Sequence, residues 1–254
     1  MKDLERAKAL LENPGFAVRL TNLIGSPVEK GFEMLPKGWS GTVHKAAKAA
    51  LMKALQVAVM TLGRRKRSKS RELLHKVMVG ASGGIGGVFG LAALPVELPV
   101  STAIMLRSIA AIARNEGHNV SLMSTRLACL EVFAFGGPSR ADDAADSAYW
   151  VTRAALSKTV SDAASYLTRK GAVDVTAPAL IRLINNIAAR FGVIVSEEVA
   201  AKALPLIGAA SGSVINVLFI DHFQNMARGH FIVKRLEARH GLEKVRGIYR
   251  ELAV

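Results

Sequence analysis

The chain has 254 residues, half of them apolar, with 6% aromatics and one cysteine, which is long enough to bury one large core. Thirty-four Lys and Arg against 20 Asp and Glu give a formal net charge of +14. A lone thiol excludes an internal disulfide and a thiolate metal cage, so a reducing compartment fits, and no motif asks for a metal or any other cofactor.

The start, "MKDLERAKALLENPG", is charged and lacks an apolar core, so no secretory signal is expected. Residues 1–76 hold 16 Lys and Arg against 6 Asp and Glu, and the rest hold 18 against 14. The basic excess therefore belongs to one end of the chain. Scarce aromatics lead us to expect a core of Ala, Val, Leu and Ile. From Val43 to Leu62, the residues Val43, Ala47, Ala50, Leu51, Ala54, Ala58 and Leu62 recur at helical spacing. Gly63 ends the pattern. "RRKRSKSR" follows, with Arg64, Arg65, Lys66, Arg67, Lys69 and Arg71 inside eight residues. Such a cluster suits anionic lipid headgroups, each basic residue contributing about 1 kcal/mol. No aromatic is interleaved with it, so base stacking on nucleic acid is not supported.

"VGASGGIGGVFGLAALPVELP" comes next, and no charge appears from Val77 through Val96. The phosphate-loop pattern fails for want of a lysine, and the dinucleotide fingerprint fails because Phe89 stands where its third glycine belongs. Gly80-Ala81-Ser82-Gly83-Gly84 does match G-x-S-x-G. A serine-type hydrolase using Ser82, or the Asp221/His222 region, stays as an alternative without a sheet to support it. Helix packing fits the glycines better. Gly80/Gly84, Gly83/Gly87 and Gly86/Gly90 are overlapping G-x-x-x-G pairs that let backbones approach closely. Pro95, Glu97 and Pro99 interrupt the run, so two short apolar helices around a Pro-rich kink are expected over 77–106. That hairpin is open to burial in the core, partial insertion in a bilayer, or spanning.

A helix is expected from Pro99 to Arg114. Cys129 reads as a small core residue. The next helix is capped by Ser139, with Asp142, Asp143 and Asp146 near its start and Gly171 after its end. Tyr149, Leu156, Val160 and Leu167 form its apolar stripe. Pro178–Phe191 reads as another helix, ended by Gly192; "VIV" at 193–195 is a strand-like scrap, and a short helix follows Ser196. A last long helix runs from Ser213 to His240, before Gly241. Two uncharged segments, "GASGGIGGVFGLAALP" and "ALPLIGAASGSVINVLF", resemble each other in plan.

Arg153 and Arg107 fall on apolar stripes and need carboxylates if buried; Glu97 and Glu131 are the candidates. His222 lies on the inner face of the last helix with Ile215, Phe219, Met226 and Val233. Asn216, Asp221 and Asn225 are near it and complete a possible polar pocket, without the spacing of a metal site.

These stretches resemble the EcsC family of bacterial proteins. The matching elements are "NPGFAVRLTNLIGSPVEKGFEMLP", "GGIGGVFGLAALPVELPVSTAIMLRSIAAIA", "LEVFAFGG", "YWVTRAALSK" and "ALPLIGAASGSVINVLFIDHF", which together cover most of residues 13–240. The family's founding member is encoded beside the components of an ABC transporter, and no biochemical activity is established for the family. The resemblance implies a bacterial cytoplasmic or membrane-associated protein and supplies no catalytic residues. The expectation is a compact all-α helical bundle with a glycine-rich apolar hairpin. It forms one domain over 1–254, with a basic portion at 1–76 and a helical core at 77–240. Such a protein would sit peripherally at the inner face of the plasma membrane, on an anionic surface, with an amphiphilic small molecule or a transporter component as further partners. An interaction scaffold is the other alternative.

Overall fold

A computed structural model describes residues 1–12, 15–62, 90–137, 147–170, 174, 176–204 and 210–252. Among them are ten α-helices, one 3₁₀ turn and no strand. The helices are α1 (Lys2–Glu12), α2 (Phe16–Ile24), α3 (Glu29–Glu33), α4 (Trp39–Thr61) and α5 (Gly90–Asn115), then α6 (Met123–Glu131), α7 (Ala148–Lys170), α8 (Pro178–Ala203), α9 (Ala210–His240) and α10 (Leu242–Glu251). The 3₁₀ turn, Val132–Ala134, follows α6 directly.

The 3.6-residue periodicity of α4 is realised as read, with Val43, Ala47, Ala50, Leu51, Ala54 and Ala58 all buried. The expected kink at Pro95 and Pro99 is not a break. Both prolines lie inside one continuous helix, Gly90–Asn115. Each removes a single backbone donor, and burial of Leu94, Leu98, Met105, Leu106 and Ile109 holds the helix together across them. Gly117, at φ +87°, ends α5: its N–H donates to the Arg114 carbonyl and that of His118 to the Ala113 carbonyl.

The break expected at Gly192 is also absent. α8 runs through Gly192, Val193–Val195 and Ser196 to Ala203. A Cβ on Gly192 would lie 4.0 Å from the Ala47 Cβ, so this glycine marks where α8 crosses α4. Ser196 does not cap a helix; its hydroxyl donates back to the Gly192 carbonyl at 2.7 Å. The chain resumes as α10 after Gly241, a helix the periodicity did not suggest. Ser139, Asp142, Asp143, Asp146 and Gly171 lie outside the described residues, and α7 is described from Ala148.

Polar contacts fix the direction of the long helices. Arg114, at the end of α5, donates to the carbonyl of Leu62, just past α4, at 3.1 Å. The two helices pack side by side over their lengths and therefore run parallel. α9 runs parallel to α5 as well: Gln224 donates to Ser108 at 3.0 Å and Arg235 pairs with Glu116 at 3.1 Å. α8 runs antiparallel to α4: Gly31, just ahead of α4, lies against Ala200, whereas Ala47 further along α4 lies by Gly192. α1 and α2 run back along α9, from the Asp3–Arg235 pair at 3.1 Å to the Arg19–Asp221 pair at 2.6 Å. At Gly229 of α9 a Cβ would fall 2.6 Å from Leu11 Cγ and 3.0 Å from the Ala7 carbonyl. Close packing through missing side chains is thus present here, whereas Gly80, Gly83, Gly84, Gly86 and Gly87 lie outside the described residues. Gly90 opens α5.

Most of the buried core is Ala, Val, Leu and Ile, as expected. Aromatics are few but concentrated. Phe16, Phe219, Phe223, Phe191 and Phe133 form a continuous chain of ring contacts with centroids 5.1–5.7 Å apart, packed edge to face as ring quadrupoles favour.

Candidate functional site

Arg153 sits on the inner stripe of α7, as its position beside Tyr149 and Leu156 predicts. Its partner is neither Glu97 nor Glu131. Glu237 of α9 receives both guanidinium nitrogens, at 2.6 and 3.0 Å. The Arg153 Nη1 also donates to the Tyr149 hydroxyl at 3.3 Å, and the Tyr149 oxygen is 3.0 Å from His230 Nδ1. Because Arg153 can only donate, the tyrosine proton points to His230 Nδ1. The other imidazole nitrogen, Nε2, lies 3.8 Å from Glu131 Oε2, beyond hydrogen-bond distance. A hydrogen-bonded chain thus runs from Glu237 through Arg153 and Tyr149 to His230, joining α7 and α9, and Glu131 of α6 lies just beyond its end.

Burial controls its protonation. It raises the Tyr149 and Glu131 pKa values, with Lys234 and Arg153 opposing it at Glu131, and it lowers His230 well below the usual histidine range. Arg153 is pulled down by burial, but Tyr149 and Glu237 outweigh that and raise it. His230 is 0% exposed and ringed by Phe135, Tyr149 and Phe231. No substrate reaches it, so the chain acts as a clamp between helices. Sequence reading identified Arg153 but passed over Glu237, His230 and Tyr149. The one local signal is the Tyr149/Arg153 spacing of four, which puts both on one face.

The second expected cluster divides. His222 is buried against Phe16 and Phe223, and burial lowers its pKa to about 4. Gly136, at φ +80°, lies so close that a Cβ there would meet the imidazole at 2.4 Å. Asp221, one residue earlier, points elsewhere and pairs with Arg19. Asn225 donates to Asp221 at 3.2 Å and accepts from Arg228 at 2.8 Å. Asn216 is half-buried a turn and more away. Asp221 and His222 therefore form no acid–base pair, and Ser82 lies outside the described residues. Cys129 is buried as expected, its thiol pushed up to about 12, chiefly by burial. No group of three His, Cys, Asp or Glu residues suited to a metal occurs among the described residues.

The stripe expected for Arg107, with Val100, Ile104 and Ala111, divides: Ile104 is buried, Arg107 and Ala111 are half-buried, and Val100 faces outward. Val96 and Val100 are 73% and 54% exposed, Glu97 and Arg114 are exposed, and Ala103, Arg107 and Ala111 are half-buried along the same face of α5. Neither Glu97 nor Arg107 has an ion-pair partner among the described residues, and neither needs one, because water reaches both. Arg64, Arg65, Lys66, Arg67, Lys69 and Arg71 lie outside the described residues. The chain enters that cluster from Leu62, beside Arg114. An open cleft of about 870 Å³ between α7 and α8 is edged by Asp162, Ala164, Ser165, Tyr166, Thr168, Arg169, Ala179 and Arg182.

Two helices, Leu94–Asn115 within α5 and Pro178–Ala203, are long and apolar enough to cross a membrane, with 44% and 50% of the apolar window buried inside the protein. A model of the EcsC protein family matches residues 1–236. The chain belongs to the EcsC family. No curated protein and no solved structure matches this EcsC protein.

Proposed function

We propose that this EcsC protein is a peripheral membrane-binding protein that lays the outer face of α5 along an anionic lipid surface. The observation that carries the reading is a stripe of exposed Val96, Val100 and Arg114 with half-buried Arg107 between them. Large apolar side chains left in water at one end of a helix, with guanidinium groups further along, suit a helix lying in the interface. Arginine stems can lie along the acyl boundary while their heads reach phosphates. No acidic residue occurs between Glu97 and Glu116.

The arrangement also accommodates the basic cluster. Gly90 opens α5, and Leu62 lies beside Arg114 near the other end, roughly 36 Å away at 1.5 Å per residue. Arg64–Arg71 follow Leu62 and Gly63 in the sequence and would add a second basic segment to the contact. A transporter component or an amphiphile at the membrane would meet the same face. Among the described residues no arrangement of reactive surface groups favours an enzyme.

Flotation with vesicles of phosphatidylglycerol and phosphatidylcholine tests the reading. Parent protein should float with anionic vesicles and be released by salt. Val96→Asp with Val100→Asp should weaken binding at every charge density, and Arg107→Glu should weaken it on anionic vesicles. Equal recovery on neutral and anionic vesicles, or no loss in any variant, would overturn the proposal.

A further inference from the structure

Residues 26–37 connect α2 to α4 and carry α3. Glycines in the left-handed region flank the segment, Gly25 at φ +69° and Gly38 at φ +81°, each with nothing within 4 Å of a Cβ. The backbone can turn at both points, as at hinge residues. Between them α3 is pressed onto α8: a Cβ on Gly31 would meet the Ala200 carbonyl oxygen at 2.0 Å. Three residues before Ala200, on the same helical face, is Glu197. It is 6% exposed, and its Oε2 is buried with no hydrogen-bond partner among the described residues. A buried ionised carboxylate without a partner is costly; a protonated one is far less so.

We propose that residues 26–37 are a carboxyl-gated flap, docked on α8 while Glu197 is protonated and released when Glu197 ionises opposite Glu29. Burial first, and then the Glu29 charge, raise the Glu197 carboxyl to about 7. Other charges are committed or outward. On α8 itself Glu198 is paired with Lys202 at 2.6 Å, and α3 exposes Lys30 and Glu33. Arg19 of α2 is held by Asp221. α4 exposes His44 and half-buries Lys48, α5 exposes Glu97, and α9 carries no charge before Asp221.

The direction follows from linkage. Once released, Glu197 returns to the ordinary value of 4.5, so the docked state holds the proton more tightly. Docking is strongest below pH 4.5, weakens as pH rises from 4.5 to 7, and levels off above that. Release would uncover Phe32, which stacks on Trp39 at 5.3 Å, and Leu35.

The chain has two tryptophans, so Trp150→Phe leaves Trp39 as the reporter. Its emission should shift to the red and become more quenchable by acrylamide between pH 5 and 8. Glu197→Gln, which cannot ionise, should keep the low-pH spectrum throughout. Glu29→Gln should move the transition to lower pH. Amide exchange over 26–37 in the otherwise unaltered chain, corrected for intrinsic rate, should lose protection on the order of a hundredfold over the same range, and should not in Glu197→Gln. The second readout serves even if Trp150→Phe folds poorly. A parent that does not respond, or a Glu197→Gln protein that titrates like the parent, overturns the proposal. No vesicle is involved, so the outcome is independent of the membrane reading.

Discussion

Arg153 of α7 and Glu237 of α9 meet through two parallel hydrogen bonds of 2.6 and 3.0 Å, 84 residues apart in the chain. Both side chains are largely buried, so each neutralises a charge that would otherwise be stranded. Removing one partner leaves the other unpaired. Arg153→Met alone should cost about 3–5 kcal/mol in urea unfolding, whereas Arg153→Met with Glu237→Leu should recover most of that loss. A double variant as unstable as the sum of the singles would show that the pair is not acting as a unit.

Acid should destabilise the fold through its buried histidines. His222 is held near 4 against an ordinary 6.5, so protonation is harder in the folded than in the unfolded chain. Its stability contribution is full above pH 6.5 and is lost as pH falls from 6.5 to 4; the shift is on the order of 3 kcal/mol. His230 acts in the same direction. Denaturation midpoints measured from pH 7.5 to 4 should fall, and His222→Gln should flatten the curve in part.

Gly229→Ala should be destabilising although alanine is the better helix former. The added methyl would meet Leu11 Cγ at 2.6 Å and the Ala7 carbonyl at 3.0 Å, an overpacking cost of about 1–3 kcal/mol. Trimming the partner in Gly229→Ala/Leu11→Ala should be less harmful than the two single losses added together, read from melting temperatures.

Arg126 holds a corner of the bundle with its whole guanidinium. It donates to the carbonyls of Val120, Val59 and Ser121 at 2.9, 2.8 and 3.0 Å, joining the end of α4 to the turn before α6. Arg126→Ala should cost roughly 2–3 kcal/mol, and Arg126→Lys should rescue little, because an ammonium cannot reproduce the fork. Equal stability of the Lys variant and the parent would refute the three-carbonyl role.

The helices most legible in the sequence were those whose buried faces repeat regularly, such as Val43–Ala58 of α4 and Ile215–Val233 of α9. Punctuation misled where packing overrode it. Gly192 looks like a stop, yet its missing side chain serves the crossing with Ala47. Pro95 and Pro99 look like a division into two helices, yet flanking leucines hold one helix through them. Arg153 announced a buried charge through its stripe, but nothing local distinguishes Glu237 from other acids on a helix 84 residues on. Arg107 misled in part: its apolar neighbours suggested burial, yet of them Ile104 alone is buried and Arg107 itself is half-buried at the edge of the bundle. Glu197 carried no signal, since a Glu-Glu pair early in an expected short helix reads as a favourable dipole contact.

The docking of α1 has a consequence for synthesis. Its binding surface is built from Gly229, Arg235 and Leu252, which leave the ribosome more than two hundred residues after α1 itself. At about 5–20 residues per second, the first helix waits roughly 10–50 s for its seat to exist. Leu4, Ala7 and Leu11, all buried in the finished protein, remain uncovered on the nascent chain for that interval, a window in which a trigger factor or chaperone has a ready target.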